Sequence, residues 1–244
     1  MKVIISLTTI PSRFQHLQNT IKNLENQTCH EIWVNIPQKY QRFPEWNGMI
    51  PPIFGSKLKM NRDCEDLGPG TKVIGPALHL DPGDLIVYVD DDTNYDPKLV
   101  TNILKWWMTD PKSAWGLSGF DLQKYFEKKY PRTHGVPVDV LEGYGAVLVK
   151  AAWVQNFVSE FKELREEAKA ADDIIISNLL AKQGVERKTV FTPECHIGQI
   201  QQLEYGFGQD ALHHQSPGGH HENYRNVLES LEVKGKNYFK YKCS

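Results

Sequence analysis

At 244 residues, with 40% hydrophobic, 11% aromatic and 24% charged residues, the sequence has the make-up of an ordinary globular protein, which excludes disorder over most of its length. A formal net charge of -2, without any dense run of lysine or arginine, gives no electrostatic basis for a nucleic-acid partner. The apolar stretch at residues 3–7 is too short for a secretory signal and nothing approaches the ~20 apolar residues of a membrane span, so a soluble, cytoplasmic protein is expected. Cys29, Cys64, Cys195 and Cys243 lack metal-site spacing and disulfide density, and read as reduced thiols.

Val3 to Leu7 is a β-branched run that ends in Thr8-Thr9-Ile10-Pro11-Ser12, a strand followed by a loop. Phe14, Leu17, Ile21 and Leu24 then recur at helical spacing, predicting a helix over residues 13–26 with Ser12 as its cap. Ile32 to Ile36 is a second strand ended by Pro37, and the proline-rich stretch beyond it predicts irregular surface. A short helix is expected over 73–80. Leu85-Ile86-Val87-Tyr88-Val89 is the clearest buried strand, since a continuous apolar run marks one covered on both faces.

Asp96 and Pro97 suit the cap and first position of a helix carrying Leu99, Val100, Ile103, Leu104 and Trp107, and Trp106, Trp107 and Met108 read as core. Further strands are expected at 115–119 and 144–149, and helices at 154–170 and 173–183. This alternation predicts an α/β fold, a mixed but mostly parallel sheet flanked by helices in a single domain. The last fifty residues lose the rhythm, and a helix over 222–231 is expected to pack back on the domain.

Asp90-Asp91-Asp92 lies where ligands bind in open α/β sheets, at the carboxyl end of the most buried strand. Three adjacent carboxylates repel one another, and a hard divalent cation relieves that repulsion. Carboxylate oxygens suit Mn²⁺ or Mg²⁺, whose open coordination positions go to water or substrate phosphate, so a diphosphate-bearing substrate is expected.

Tyr88-Val89-Asp90-Asp91-Asp92-Thr93 resembles the Asp-x-Asp motif of the GT-A, Rossmann-like glycosyltransferases that use nucleotide-sugars. Ser6 to Arg13 resembles the opening strand and loop of a subgroup found in bacteria and large DNA viruses, including enzymes that decorate capsid glycans. Asp63, Gly68-Pro69-Gly70-Thr71-Lys72 and Asp172-Asp173 fall where that subgroup has its later motifs. The resemblance implies a UDP-sugar donor and a glycan or glycoprotein acceptor. It implies a nucleotide-binding half at 1–95, an acceptor and catalytic half at 96–205, and a tail at 206–244.

By the same resemblance Thr8, Pro11 and Arg13 line the nucleotide pocket, Asp63 bonds the base and Lys72 lies nearby. Asp90 and Asp91 meet the nucleotide, and Asp92, with Asp90, binds the cation. Inverting transfer needs a carboxylate to take the acceptor proton. Asp172-Asp173 resembles that position: Asp173 is assigned the base and Asp172 the helix cap, with Glu142 as a second base and Tyr144 stacking on a sugar. In many such enzymes a late histidine completes the metal site; of His213, His214, His220 and His221, His214 and His220 are the assigned ligands. Clustered aspartate and histidine also suit a metal-dependent phosphohydrolase or nuclease. A non-catalytic glycan-binding module is a further alternative.

Overall fold

The computed structural model describes residues 1–129, 133–208 and 219–241. In chain order the strands are β1 (Val3–Thr8), β2 (Glu31–Asn35), β3 (Leu58–Asn61), β4 (Leu85–Tyr88), β5 (Thr93–Asn94), β6 (Ala114–Gly116), β7 (Gly119–Phe120), β8 (Val140–Leu141), β9 (Val147–Lys150), β10 (Arg187–Thr189) and β11 (Gln201–Gln202). The helices are α1 (Phe14–Glu25), α2 (Thr71–Ala77), α3 (Leu99–Thr109), α4 (Leu122–Phe126), α5 (Ala151–Gln155), α6 (Val158–Glu163), α7 (Arg165–Lys182) and α8 (Gly219–Val233).

Seven strands form one sheet in the order β10-β6-β9-β4-β1-β2-β3. Four of its six pairings are parallel, and β9 is the strand that runs against both of its neighbours. Apolar residues of β1, β2 and β4 divide by alternation. Ile5, Leu7, Ile32, Val34, Leu85 and Val87 pack under α1 and α3, whereas Ile4, Trp33, Ile86 and Tyr88 pack under α2 and α5 to α8. Burial on both faces is what the unbroken apolar runs require. The sheet therefore runs through residues on both sides of position 95. Among the described residues no helix is long and apolar enough to cross a membrane.

Several boundaries differ from the sequence reading. A 3-10 turn, Pro11–Arg13, leads into α1, so Arg13 and not Ser12 occupies the N-cap position. Asp96 closes a turn by accepting from Lys98 N at 2.8 Å, which delays α3 to Leu99. Met108 is 67% exposed because it falls on the outer side of α3, while Trp107 is buried. Strand β3 emerges from the stretch expected to be irregular, as the sheet edge beside β2. The helix expected over 154–170 is broken into α5, α6 and the start of α7.

Helix α7 itself breaks at Ala171, whose φ of -155° and ψ of 73° are not helical. Helix α8 packs on α7: Ser230 Oγ donates to Glu167 Oε1 at 2.6 Å, and Lys234 pairs with the same carboxylate. Asn178 fixes the chain beyond α8, donating to Lys236 O and accepting from Tyr238 N, each at 2.8 Å.

Candidate active site

The ends of β1, β2 and β3 are tied by a buried polar network. Asn61 Nδ2 donates to Asn35 Oδ1 (2.8 Å), Asn35 Nδ2 donates to Ser6 Oγ (2.8 Å), and Ser6 Oγ donates to Lys72 O (2.5 Å). Burying a polar group is costly unless it is so satisfied, and this chain fixes the start of α2 against the sheet. Above it opens a cavity of about 530 Å³ lined by the carboxyl ends of β1 and β4, the break in α7 and part of α8.

The carboxylate run meets Arg13. Its Nη1 donates to Asp91 Oδ1 at 2.8 Å and to Asp92 Oδ2 at 2.9 Å, so the arginine that opens α1 neutralises the end of β4. The backbone of the run is held as firmly: Thr20 Oγ1 and Tyr205 Oη donate to Asp91 O, and Leu203 N donates to Asp92 O at 2.7 Å. Burial, reinforced by Asp90 and Asp91, holds the Asp92 carboxyl up to about 7. Burial also raises Asp91 despite Arg13, and Asp91 Oδ2 is buried without a hydrogen-bond partner.

Lys72 is the hinge between this run and the next acidic pair. Only 3% exposed, its Nζ lies 2.7 Å from Asp90 Oδ1 and 3.3 Å from Asp172 Oδ2. Burial alone would drive the amine toward its neutral form, but Asp172, Asp90 and Asp173 outweigh it and hold the lysine charged. Asp173 Oδ1 accepts from Gly143 N at 2.9 Å, and burial together with Asp172 raises its carboxyl well above the usual range. A Cβ at Gly143 would stand 2.7 Å from Lys72 Nζ and 3.2 Å from Asp173 Oδ1, so a larger residue there would push the lysine end aside. Ser118 Oγ donates to Glu142 Oε2 at 2.6 Å, and burial raises that carboxyl too.

Thr8, Arg13, Lys72, Asp90, Asp91, Asp92, Glu142, Tyr144, Asp172 and Asp173 thus share one cavity. Two expected residues do not. Asp63, 94% exposed as a side chain, faces a separate hollow 3.9 Å from His79, because Asn61 Oδ1 takes its backbone N–H and turns it outward. Asp66 lines the cavity instead, its carboxylate accepting from Gln41 N and Gly68 N. Pro11 sits in the turn before α1, and Ile10 takes its place in the wall.

Asp172 follows the break at Ala171 and so lies inside the first turn, not at its cap, with its carboxylate turned to Lys72. His213, His214 and the side chain of His220 lie outside the described residues. His221 stacks on Tyr125 at 4.3 Å. Among the described residues, no three or more histidine, cysteine, aspartate or glutamate side chains are grouped to hold a metal.

Sequence reasoning missed Tyr40, Arg42, Phe43, Tyr125 and Tyr224, all of which line the cavity. No spacing marks them. Tyr40 Oη donates to Thr9 O at 2.7 Å, which draws the irregular stretch after β2 over the end of β1.

No protein-family model and no curated protein matches the sequence. Among solved structures, the chain is similar to the 2-C-methyl-D-erythritol 4-phosphate cytidylyltransferase of Francisella tularensis, at 13% identity and a TM-score of 0.45. That match covers 77% of this chain and 88% of the other. So distant a likeness leaves the question of function to the cavity itself.

Proposed function

We propose that the cavity transfers a sugar from a UDP-sugar to a hydroxyl group of a glycan or glycoprotein acceptor, with inversion and with help from Mn²⁺ or Mg²⁺, as a GT-A-type glycosyltransferase. The observation that carries this reading is the chain Asp90–Lys72–Asp172, which sets strand-end carboxylates and a second, base-like carboxylate pair on one cavity.

The uracil end is formed by Tyr40, Arg42, Phe43 and Asp66, where Asp66 supplies an acceptor for the imide N–H. Thr8 and Arg13 face the diphosphate. The donor set for the cation is hard oxygen, and the buried Asp91 Oδ2 without a hydrogen-bond partner marks uncompensated negative charge there, so the residues fit a divalent ion. Asp90 and Asp92 would hold it. Once bound, the ion supplies charge neutralisation for the departing diphosphate.

Asp173 serves as the base. Gly143 N holds its Oδ1 at 2.9 Å on the cavity wall, and a carboxylate so placed can take the proton of a hydroxyl brought to it. The acceptor hydroxyl gives its proton to Asp173 as its oxygen bonds the anomeric carbon; the bond from that carbon to the diphosphate oxygen breaks, and UDP leaves with the electron pair.

Incubation with Mn²⁺ and a panel of nucleotide-sugars tests the proposal. A transferase binds and slowly hydrolyses a UDP-sugar, Asp92→Asn loses that binding with the fold intact by circular dichroism, and Asp173→Ala loses transfer while keeping UDP-sugar affinity. Cleavage of phosphate esters with UDP-sugars untouched would establish the phosphohydrolase alternative instead.

A further inference from the structure

The acidic run draws two cations from its own chain, and they are held differently. Lys72 Nζ is fixed from two elements, 2.7 Å from Asp90 Oδ1 at the end of β4 and 3.3 Å from Asp172 Oδ2 in α7. A ligand that took Asp90 from it would leave it with Asp172. Arg13 stands on the cavity wall and spans neighbours within the run: a single nitrogen, Nη1, lies 2.8 Å from Asp91 Oδ1 and 2.9 Å from Asp92 Oδ2. Both acids belong to the run, so whatever neutralises the run removes what holds that nitrogen.

A divalent cation bound through Asp92 competes with the guanidinium for the same carboxylate, and at that range the two positive charges repel. The carboxylate has little room to turn and serve both. Thr20, Tyr205 and Leu203 hold the carbonyls of Asp91 and Asp92, and Gly206 packs so close that a Cβ there would meet Asp92 Oδ2 at 2.6 Å. A guanidinium that gives up carboxylates is matched next by phosphate oxygens, which its planar N–H fork fits equally well. We infer that Arg13 is the resident counter-ion of the cation site: it covers Asp91 and Asp92 until a divalent cation takes its place, and then turns to the diphosphate. Cation and nucleotide therefore each bind better once the other is present. That the anion is a nucleoside diphosphate rests on the transferase reading; the competition between Arg13 and the cation does not.

Calorimetric titration of the full chain with Mn²⁺, and with UDP in saturating Mn²⁺, tests the exchange. Arg13→Gln, in which the competitor is gone, is expected to bind Mn²⁺ alone about tenfold more tightly than the parent chain and UDP about tenfold more weakly. Arg13→Lys, which keeps a charge, should stay nearer the parent in both. An arginine that merely braced the fold would weaken both affinities on removal, whereas exchange moves them in opposite directions. Circular dichroism checks that each variant is folded. On the parent chain the Arg13 Nε–Hε resonance, followed by NMR as Mg²⁺ is added, is expected to shift, which reads the exchange without any substitution. Mn²⁺ bound no more tightly by folded Arg13→Gln, or an Arg13 resonance unmoved by saturating Mg²⁺, would overturn the competition, and UDP bound equally by variant and parent would overturn the turn to the diphosphate. Tighter Mn²⁺ binding in Arg13→Gln with no UDP binding by any form defeats the transferase reading and leaves the competition standing.

Discussion

Lys72 Nζ lies 2.7 Å from Asp90 Oδ1 at the floor of the cavity, an ion pair whose lysine is almost wholly enclosed. Breaking a buried pair from one side strands a charge, which costs about 3–5 kcal/mol. Lys72→Met is therefore expected to lower the unfolding free energy by about that amount in urea titration. Adding Asp172→Asn should return part of the loss, because one stranded carboxylate is then gone. A single-variant loss below about 1 kcal/mol, the worth of a surface pair, would contradict this role.

Arg13 is the cation set against Asp91 and Asp92. Its removal leaves their repulsion to be relieved by something else. Arg13→Ala is expected to melt lower than the parent chain in chelator and to gain more from millimolar Mn²⁺, with about 2–4 °C for each kcal/mol recovered. Equal Mn²⁺ responses in a thermal-shift experiment would detach the cation from this acidic run.

A Cβ added at Gly206 would meet Asp92 Oδ2 at 2.6 Å, Cγ at 2.8 Å and Cβ at 3.0 Å. Gly206→Ala must therefore push the carboxylate or the Leu203–Gly206 segment aside. UDP-sugar affinity in Mn²⁺ is expected to fall about tenfold, or 1.4 kcal/mol. Gly83→Ala, whose Cβ meets nothing within 4 Å, is the matched control and should bind as the parent does.

Glu142 carries a carboxyl raised by burial above its ordinary 4.5. The folded chain thus keeps a proton there that the unfolded chain has released. This contribution to stability falls as pH rises from 4.5 through the folded value, and above it the full cost of the buried charge remains. Glu142→Gln is expected to raise the melting temperature at neutral pH and to leave it unchanged below about pH 4.5. Transfer should persist in this variant if Asp173 is the base; loss of transfer with the fold intact would move the base to Glu142.

The parts of the molecule written in consecutive residues are legible in the sequence. Strands β1, β2 and β4 announce themselves because burial on both faces demands unbroken apolar runs, and the acidic run at the end of β4 has no cheaper explanation than a site. Strand β3 is hidden: at the sheet edge its Leu58 and Met60 are only partly covered and Lys59 is exposed, so no apolar run forms. Strand β9 runs antiparallel to β4 and β6 and is entered through Ala146, whose φ of 62° is a conformation that alanine gives no local sign of.

The site divides the same way. Asp63 and Asp66 differ only in which way one turn faces, and the turn is set by Asn61 and Gly68 rather than by either acid. Tyr125 and Tyr224 join only when α4 and α8 pack, a contact between distant segments that leaves no periodicity to read.

The loop that bears Asp90 to Asp92 is held from above by residues that come more than a hundred positions later. Leu203 N and Tyr205 Oη grip its carbonyls, and β11 extends β5 as an antiparallel pair. On the ribosome, the first half of the chain emerges with its acidic loop still unlatched. The site is therefore finished last, and a nascent chain stalled before residue 200 would carry the sheet without a completed cavity.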